Sequence, residues 1–119
     1  GSHMPNLCVS ATFNPPVITM LGSALREETV KLLEQRIPTG VSTSSSPSKD
    51  PVKFLFYPNP DHWRMELSQH FCDDLHKSAV FLTIIEGLEG EGWNLRASNS
   101  IRDSESGKDT TKLFFARRN

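Results

Sequence analysis

Apolar residues recur along this chain at two different periods, and the change of period marks where strand gives way to helix. Leu7, Val9, Ala11 and Phe13 alternate with smaller or polar neighbours, which places them on one side of a half-buried strand. Asn14-Pro15-Pro16 ends it. Val17 to Gly22 fits neither period. From Ser23, a residue type that caps helices, the spacing lengthens. Leu21, Leu25, Leu32, Leu33 and Ile37 share one helical stripe, Glu27 and Glu28 load the first turn, and Pro38-Thr39-Gly40 supplies a stop.

Residues 41–51 are serine-rich with one apolar side chain, too little to offset the entropy of ordering, so they predict a mobile loop within the domain. Its Ser46-Pro47 could receive a proline-directed kinase. Val52 to Tyr57 is β-branched and aromatic and predicts a strand. Asn59-Pro60-Asp61 then reads as a helix start, Asn59 capping and Pro60 at the first helical position, with Trp63, Leu67, Phe71 and Leu75 as the buried stripe. A second helix, or a continuation, runs from Ser78 and buries Phe81, Ile84, Ile85 and Leu88 before Gly87, Gly90 and Gly92 close it. Trp93, Leu95, Ala97 and Ile101 are expected to alternate into the core. After the polar loop Asp103 to Asp109, the return strand Thr111 to Arg118 sets Leu113, Phe115 and the stem of Arg117 against Lys112, Phe114, Ala116 and Arg118.

These elements predict an α+β two-layer sandwich: a four-stranded, mostly antiparallel sheet with two or three helices packed on one face. Gly1 to Met4 reads as the scar of a cleaved expression tag and residues 5–119 as a single domain. Two cysteines, Cys8 and Cys72, with no CxxC pairing suit reduced thiols in an intracellular, cytoplasmic protein. No apolar run reaches the ~20 residues of a membrane-spanning helix. The formal net charge is −1, but its distribution is uneven. Pro58 to Gly92 carries seven acidic and two basic side chains, and Trp93 to Asn119 carries three acidic and six basic. An acidic helical layer beside a basic hairpin is a polarised surface, of the kind that steers partners.

Chemical signatures are weak. On a helix, His62, Glu66 and His70 would align, and Cys72 would lie one turn from His76, a spacing that zinc can use. The two sets fall on different azimuths and neither supplies four ligands, so a wet helix face is the better reading and no metal is expected. Cys72 has Asp73 and Asp74 beside it, which raise a thiol pKa rather than lower it. The Gly87-Gly90-Gly92 run follows a helix, at its negative end, where a phosphate cradle would have to precede one. Neither a catalytic residue nor a cofactor is therefore assigned, and the chain is read as non-enzymatic.

Period two separates Phe54, Phe56, Leu95, Ala97, Leu113 and Phe115 from a second sheet face. That face would carry Lys53, Leu55, Tyr57, Arg96, Lys112, Phe114 and Arg118. Aromatics among cations on an open sheet suit a protein interface. The sequence therefore points to an interaction or dimerisation module of a larger intracellular protein, docking another protein chain or a second copy of itself. The alternative is an anion-binding domain, taking RNA or a phosphorylated lipid headgroup through Arg96, Lys112, Arg117 and Arg118. Intramolecular cover by a further helix would also explain the face.

Overall fold

Three β-hairpins separated by two helices make up the chain: β1 (Asn6–Thr12) with β2 (Val17–Gly22), then α1 (Glu27–Gly40), β3 (Leu55–Tyr57) with β4 (His62–Glu66), α2 (Asp74–Glu89), and β5 (Asn94–Arg102) with β6 (Asp109–Ala116). The computed structural model describes residues 6–13, 15–22, 25–40, 52–67 and 71–117. The strands form one sheet in the order β3-β4-β2-β1-β6-β5, antiparallel at every step. The fold is α+β, as expected, but the sheet has six strands instead of four. The serine-rich 41–51 stretch and Ser46 lie outside the described residues, as do Ser23, His70 and Arg118.

Both helices cover the same face. Leu7, Val9 and Ala11 of β1, Ile18 and Met20 of β2, Met65 of β4 and Leu113 and Phe115 of β6 pack there. They meet Val30, Leu33 and Ile37 of α1 and Val80, Ile84 and Leu88 of α2. Each such Val, Leu, Ile or Phe contributes about 1.5–3 kcal/mol by leaving water. The helices touch through Gly87 of α2, where an added Cβ would stand 2.7 Å from Leu33 Cδ2. Asp73 caps α2: its Oδ1 accepts from the His76 backbone N at 2.8 Å and meets His76 Nδ1 at 2.6 Å. Those two bonds, the backbone one foremost, hold its carboxyl below the usual range.

Four sequence expectations are corrected. Val17–Gly22 is a strand, because Ile18 and Met20 complete the core between β1 and β4. The helix expected from Asn59 is instead a turn and a strand. Asn59 has φ +61°, the Asn59-Pro60 peptide is cis, and His62–Glu66 pairs with β2 and β3 while Met65 enters the core. Consequently α2 starts at Asp74 and not at Ser78, and Phe71 and Leu75, expected to be buried, are 61% and 76% exposed. The ambiguous Leu21 belongs to β2, not to the stripe of α1, whereas α1 does end at Gly40, the last residue of the expected stop. Finally, β5 is an edge strand exposed on both sides, so Leu95, Ala97 and Ile101 stay outside the core while Trp93 just before them is fully buried.

Two substitutions on α2 test this packing. Ile84→Ala is expected to cost about 2–5 kcal/mol by opening a cavity between α1, α2 and the sheet. Gly87→Val should cost about 1–3 kcal/mol despite removing a helix glycine, because it overpacks the crossing at Leu33. Urea melts of both variants read the result; an unchanged midpoint for Gly87→Val would mean the helices are not in close contact there.

Candidate interaction surface

The face of the sheet opposite the helices is fixed by period two and by register. Cross-strand partners share a face, so the pairs Tyr57↔His62, His62↔Leu21, Leu21↔Cys8, Cys8↔Phe114 and Phe114↔Ala97 trace one row across all six strands. The row is apolar or aromatic at every position. Tyr57 and His62 stack at 5.3 Å with rings 17° apart. Two residues along each strand, the next row reads Leu55, Arg64, Thr19, Ser10, Lys112 and Asn99. It is polar and cationic apart from Leu55 at the edge. A bulge between Leu95 and Ala97 displaces Arg96, which joins Cys8, Leu21, Phe114 and Ala116 around a shallow pocket of about 380 Å³.

Five of the seven residues predicted for this face are on it, in two groups. Leu55 and Tyr57 sit on β3; Lys112, Phe114 and Arg96 sit on β6 and β5. Four strand spacings separate the groups, about 19 Å. Lys53 lies elsewhere, beside Glu34, Gln35 and Pro38 of α1, where the neighbouring Phe54 N donates to Glu34 Oε1 at 2.9 Å. Arg118 is outside the described residues. The sequence reading missed Leu21 and His62, which bridge the two groups, because it had no strand at Val17–Gly22 or His62–Glu66; without them Cys8 of β1 had no row to join. The signal was present: Val17 and Leu21 make β2 apolar on both sides, as a strand with one solvated face would not be.

The zinc candidates do not converge. His62 and Glu66 lie at opposite ends of β4, four residues or about 13 Å apart. Cys72 is buried, and among the described residues no three His, Cys, Asp or Glu side chains could hold a metal ion.

A second cluster, unforeseen in the sequence, lies where α2 hands over to β5. The Glu91 side chain is 1% exposed and gathers four donors. Oε1 accepts from the Arg26 backbone N at 2.9 Å, Oε2 accepts from Trp93 Nε1 at 2.8 Å and Arg117 Nη1 at 3.0 Å, and the Thr29 hydroxyl adds a further bond. The Arg117 guanidinium also covers the Trp93 ring at 4.8 Å. Between them Gly92 has φ +92°, and the Arg117 stem passes 3.5 Å from where a Cβ would be. Burial pushes the Glu91 carboxyl up, but the bonds from Thr29, Arg26 and Trp93 and the charge of Arg117 outweigh it, and the group is held below its ordinary 4.5. Arg117, expected on the basic hairpin, is thereby engaged inside the fold.

The crystal structure of a conserved kinetoplastid-specific protein from Trypanosoma cruzi is similar to this chain at 91% identity. The match covers 99% of this chain and 100% of that one, with a TM-score of 0.84. No family model and no curated relative matches the chain.

A depressed carboxyl pKa contributes stability above the unfolded value near 4.5 and loses it as the pH falls through the folded value. Glu91→Gln is therefore expected to cost about 1–3 kcal/mol at pH 7, where charge-assisted bonds are lost. The gap to the wild type should narrow steadily below pH 4.5 as the native carboxyl itself takes a proton. Thermal melts from pH 3 to pH 7 check this; a difference that grows on acidification would contradict the assignment.

Proposed function

The chain belongs to the family of that conserved kinetoplastid-specific protein, and we propose that it is a non-enzymatic docking module whose open sheet face binds another protein chain. The observation that carries this reading is the apolar and aromatic row Tyr57–His62–Leu21–Cys8–Phe114–Ala97 running across all six strands. A sheet face that only meets water carries polar residues in such a row. Leu21, Tyr57 and Phe114 are instead large, apolar and about 40% exposed. Burying Leu21 or Phe114 at a contact would contribute up to about 1.5–3 kcal/mol each. The helices lie on the other face, so neither of them supplies that cover.

Protein is favoured over nucleic acid by the arrangement of the aromatics. Base stacking needs ring platforms within a nucleotide's reach, and Tyr57 and Phe114 are four strands apart with Leu21 and Cys8 between them. Of the four cations that would serve an anion, Arg117 is already bound to Glu91. Leu21→Thr with Phe114→Thr keeps strand propensity while removing the row's centre. The double variant is expected to keep its stability within about 1 kcal/mol, as surface positions usually do, and to lose partner chains that cross-link to the wild type. Equal cross-linking of both forms to the same partners, or a folding defect in place of a binding defect, would remove the site.

A further inference from the structure

We propose that the occupant of the sheet face is the exposed side of α2 from a second copy, so that the protein assembles head to tail; this rests on the sheet face being a docking site. The outward side of α2 carries Leu75 and Leu82, 76% and 56% exposed, in line with the exposed carboxylates Glu86 and Glu89. Spacings of seven, four and three residues put all four on one stripe of the helix. Two leucines more than half exposed on one helix stripe leave apolar area that a partner would take out of water. Chemically the stripe is apolar and acidic. Its complement is on the same molecule's opposite side, where the apolar row is flanked by Arg96 and Lys112. Among the described residues neither of those cations forms an ion pair.

Charge selects this arrangement over a two-fold dimer. Sheet against sheet would bring together two faces that both carry Arg96 and Lys112, and α2 against α2 would bring together two stripes that both carry Glu86 and Glu89. Helix stripe on sheet face instead sets Glu86 and Glu89 toward Arg96 and Lys112, while Arg64 on the same face is paired with Glu66 at 3.6 Å. The spacings agree as well. Leu75 and Leu82 are about 10 Å apart along the helix, and Leu21 and Phe114, two strands apart, are separated by about 10 Å. With Leu82 over Phe114, Glu86 and Glu89 lie beyond it toward Arg96 on the edge strand. Because the two surfaces face opposite ways, one copy cannot close on itself, and the association continues past the dimer.

Sedimentation equilibrium of the full chain, over a range of concentrations and at low and high salt, tests this. The average mass is expected to rise beyond that of a dimer with concentration and to fall back as salt screens the charges. Leu75→Lys with Leu82→Lys should be monomeric, and so should Leu21→Thr with Phe114→Thr. Mixed one to one, these two variants should form a dimer and nothing larger, since each keeps the surface the other lacks. Should the helix variant fold poorly, Glu86→Arg with Glu89→Arg should weaken association roughly tenfold. A partner carrying Arg96→Glu and Lys112→Glu should restore it. A monomeric wild type at every concentration, or a mixture that stays monomeric, overturns the proposal. A helix variant that associates like the wild type while the sheet variant does not would also overturn it, and would leave the sheet face standing as a site for another occupant.

Discussion

A single buried carboxylate ties together the parts of this fold that sequence order keeps apart. Glu91 sits at the end of α2, yet its donors come from the segment entering α1, from the residue before β5 and from the residue after β6. Taking a charge out of water is costly, and such a site persists only if its lone pairs are filled. Here four donors fill them, two of them held in place by backbone geometry or by the rigid indole of Trp93. The arrangement also fixes direction. Trp93 N bonds back to Leu88 O at 3.0 Å and Gly92 turns the chain with positive φ, so β5 leaves α2 along one path onto the sheet edge.

That path explains why one face of the sheet is open. Both helices pack against the face that carries Leu7, Val9, Ile18, Met20 and Phe115. Two helices suffice to cover the inner residues of β1, β2, β4 and β6, and the edge strands β3 and β5 remain exposed at either end. Among the described residues nothing covers the outer face, because both helices lie on the other one. Its apolar row has no role in the core, which is satisfied by the opposite side chains of the same strands.

The strands at the two ends of the chain were legible because their alternation is clean: Leu7, Val9 and Ala11 point one way in β1, Leu113 and Phe115 in β6. The C-terminal half of α2 was legible for the same reason at helical period. The middle was not. Trp63 and Leu67 are four residues apart, a spacing that shares a face on a helix and equally on a strand, so the pattern could not choose between them. Asn59-Pro60 made the choice wrongly, since the same pair opens helices and builds turns. In β2 both faces are apolar, which erases alternation; the feature that hid the strand is the one that puts Leu21 in the outer row. In β5 the bulge at Arg96 reverses parity, sending Leu95 to the inner side and Ala97 to the outer. No local pattern could reveal that Glu91 and Arg117, 26 residues apart, would meet.

The same pairing changes how the chain's charge should be counted. By sequence the last quarter is basic and the helical stretch before it acidic, but Arg117 and Glu91 cancel inside the fold, and Arg102 lies 3.9 Å from Asp109 across the hairpin. The exposed charge that remains is smaller and more localised. Arg96 and Lys112 flank the apolar row on the outer face, and Glu86 and Glu89 flank Leu82 on the outward side of α2. Exposed charges of this kind add little stability to the domain that carries them. Their influence is on encounter and register, which long-range fields control and salt weakens. Opposite signs on opposite sides of a thin two-layer domain, each beside exposed apolar side chains, give the molecule two unlike faces, one attracting acidic groups and the other basic ones.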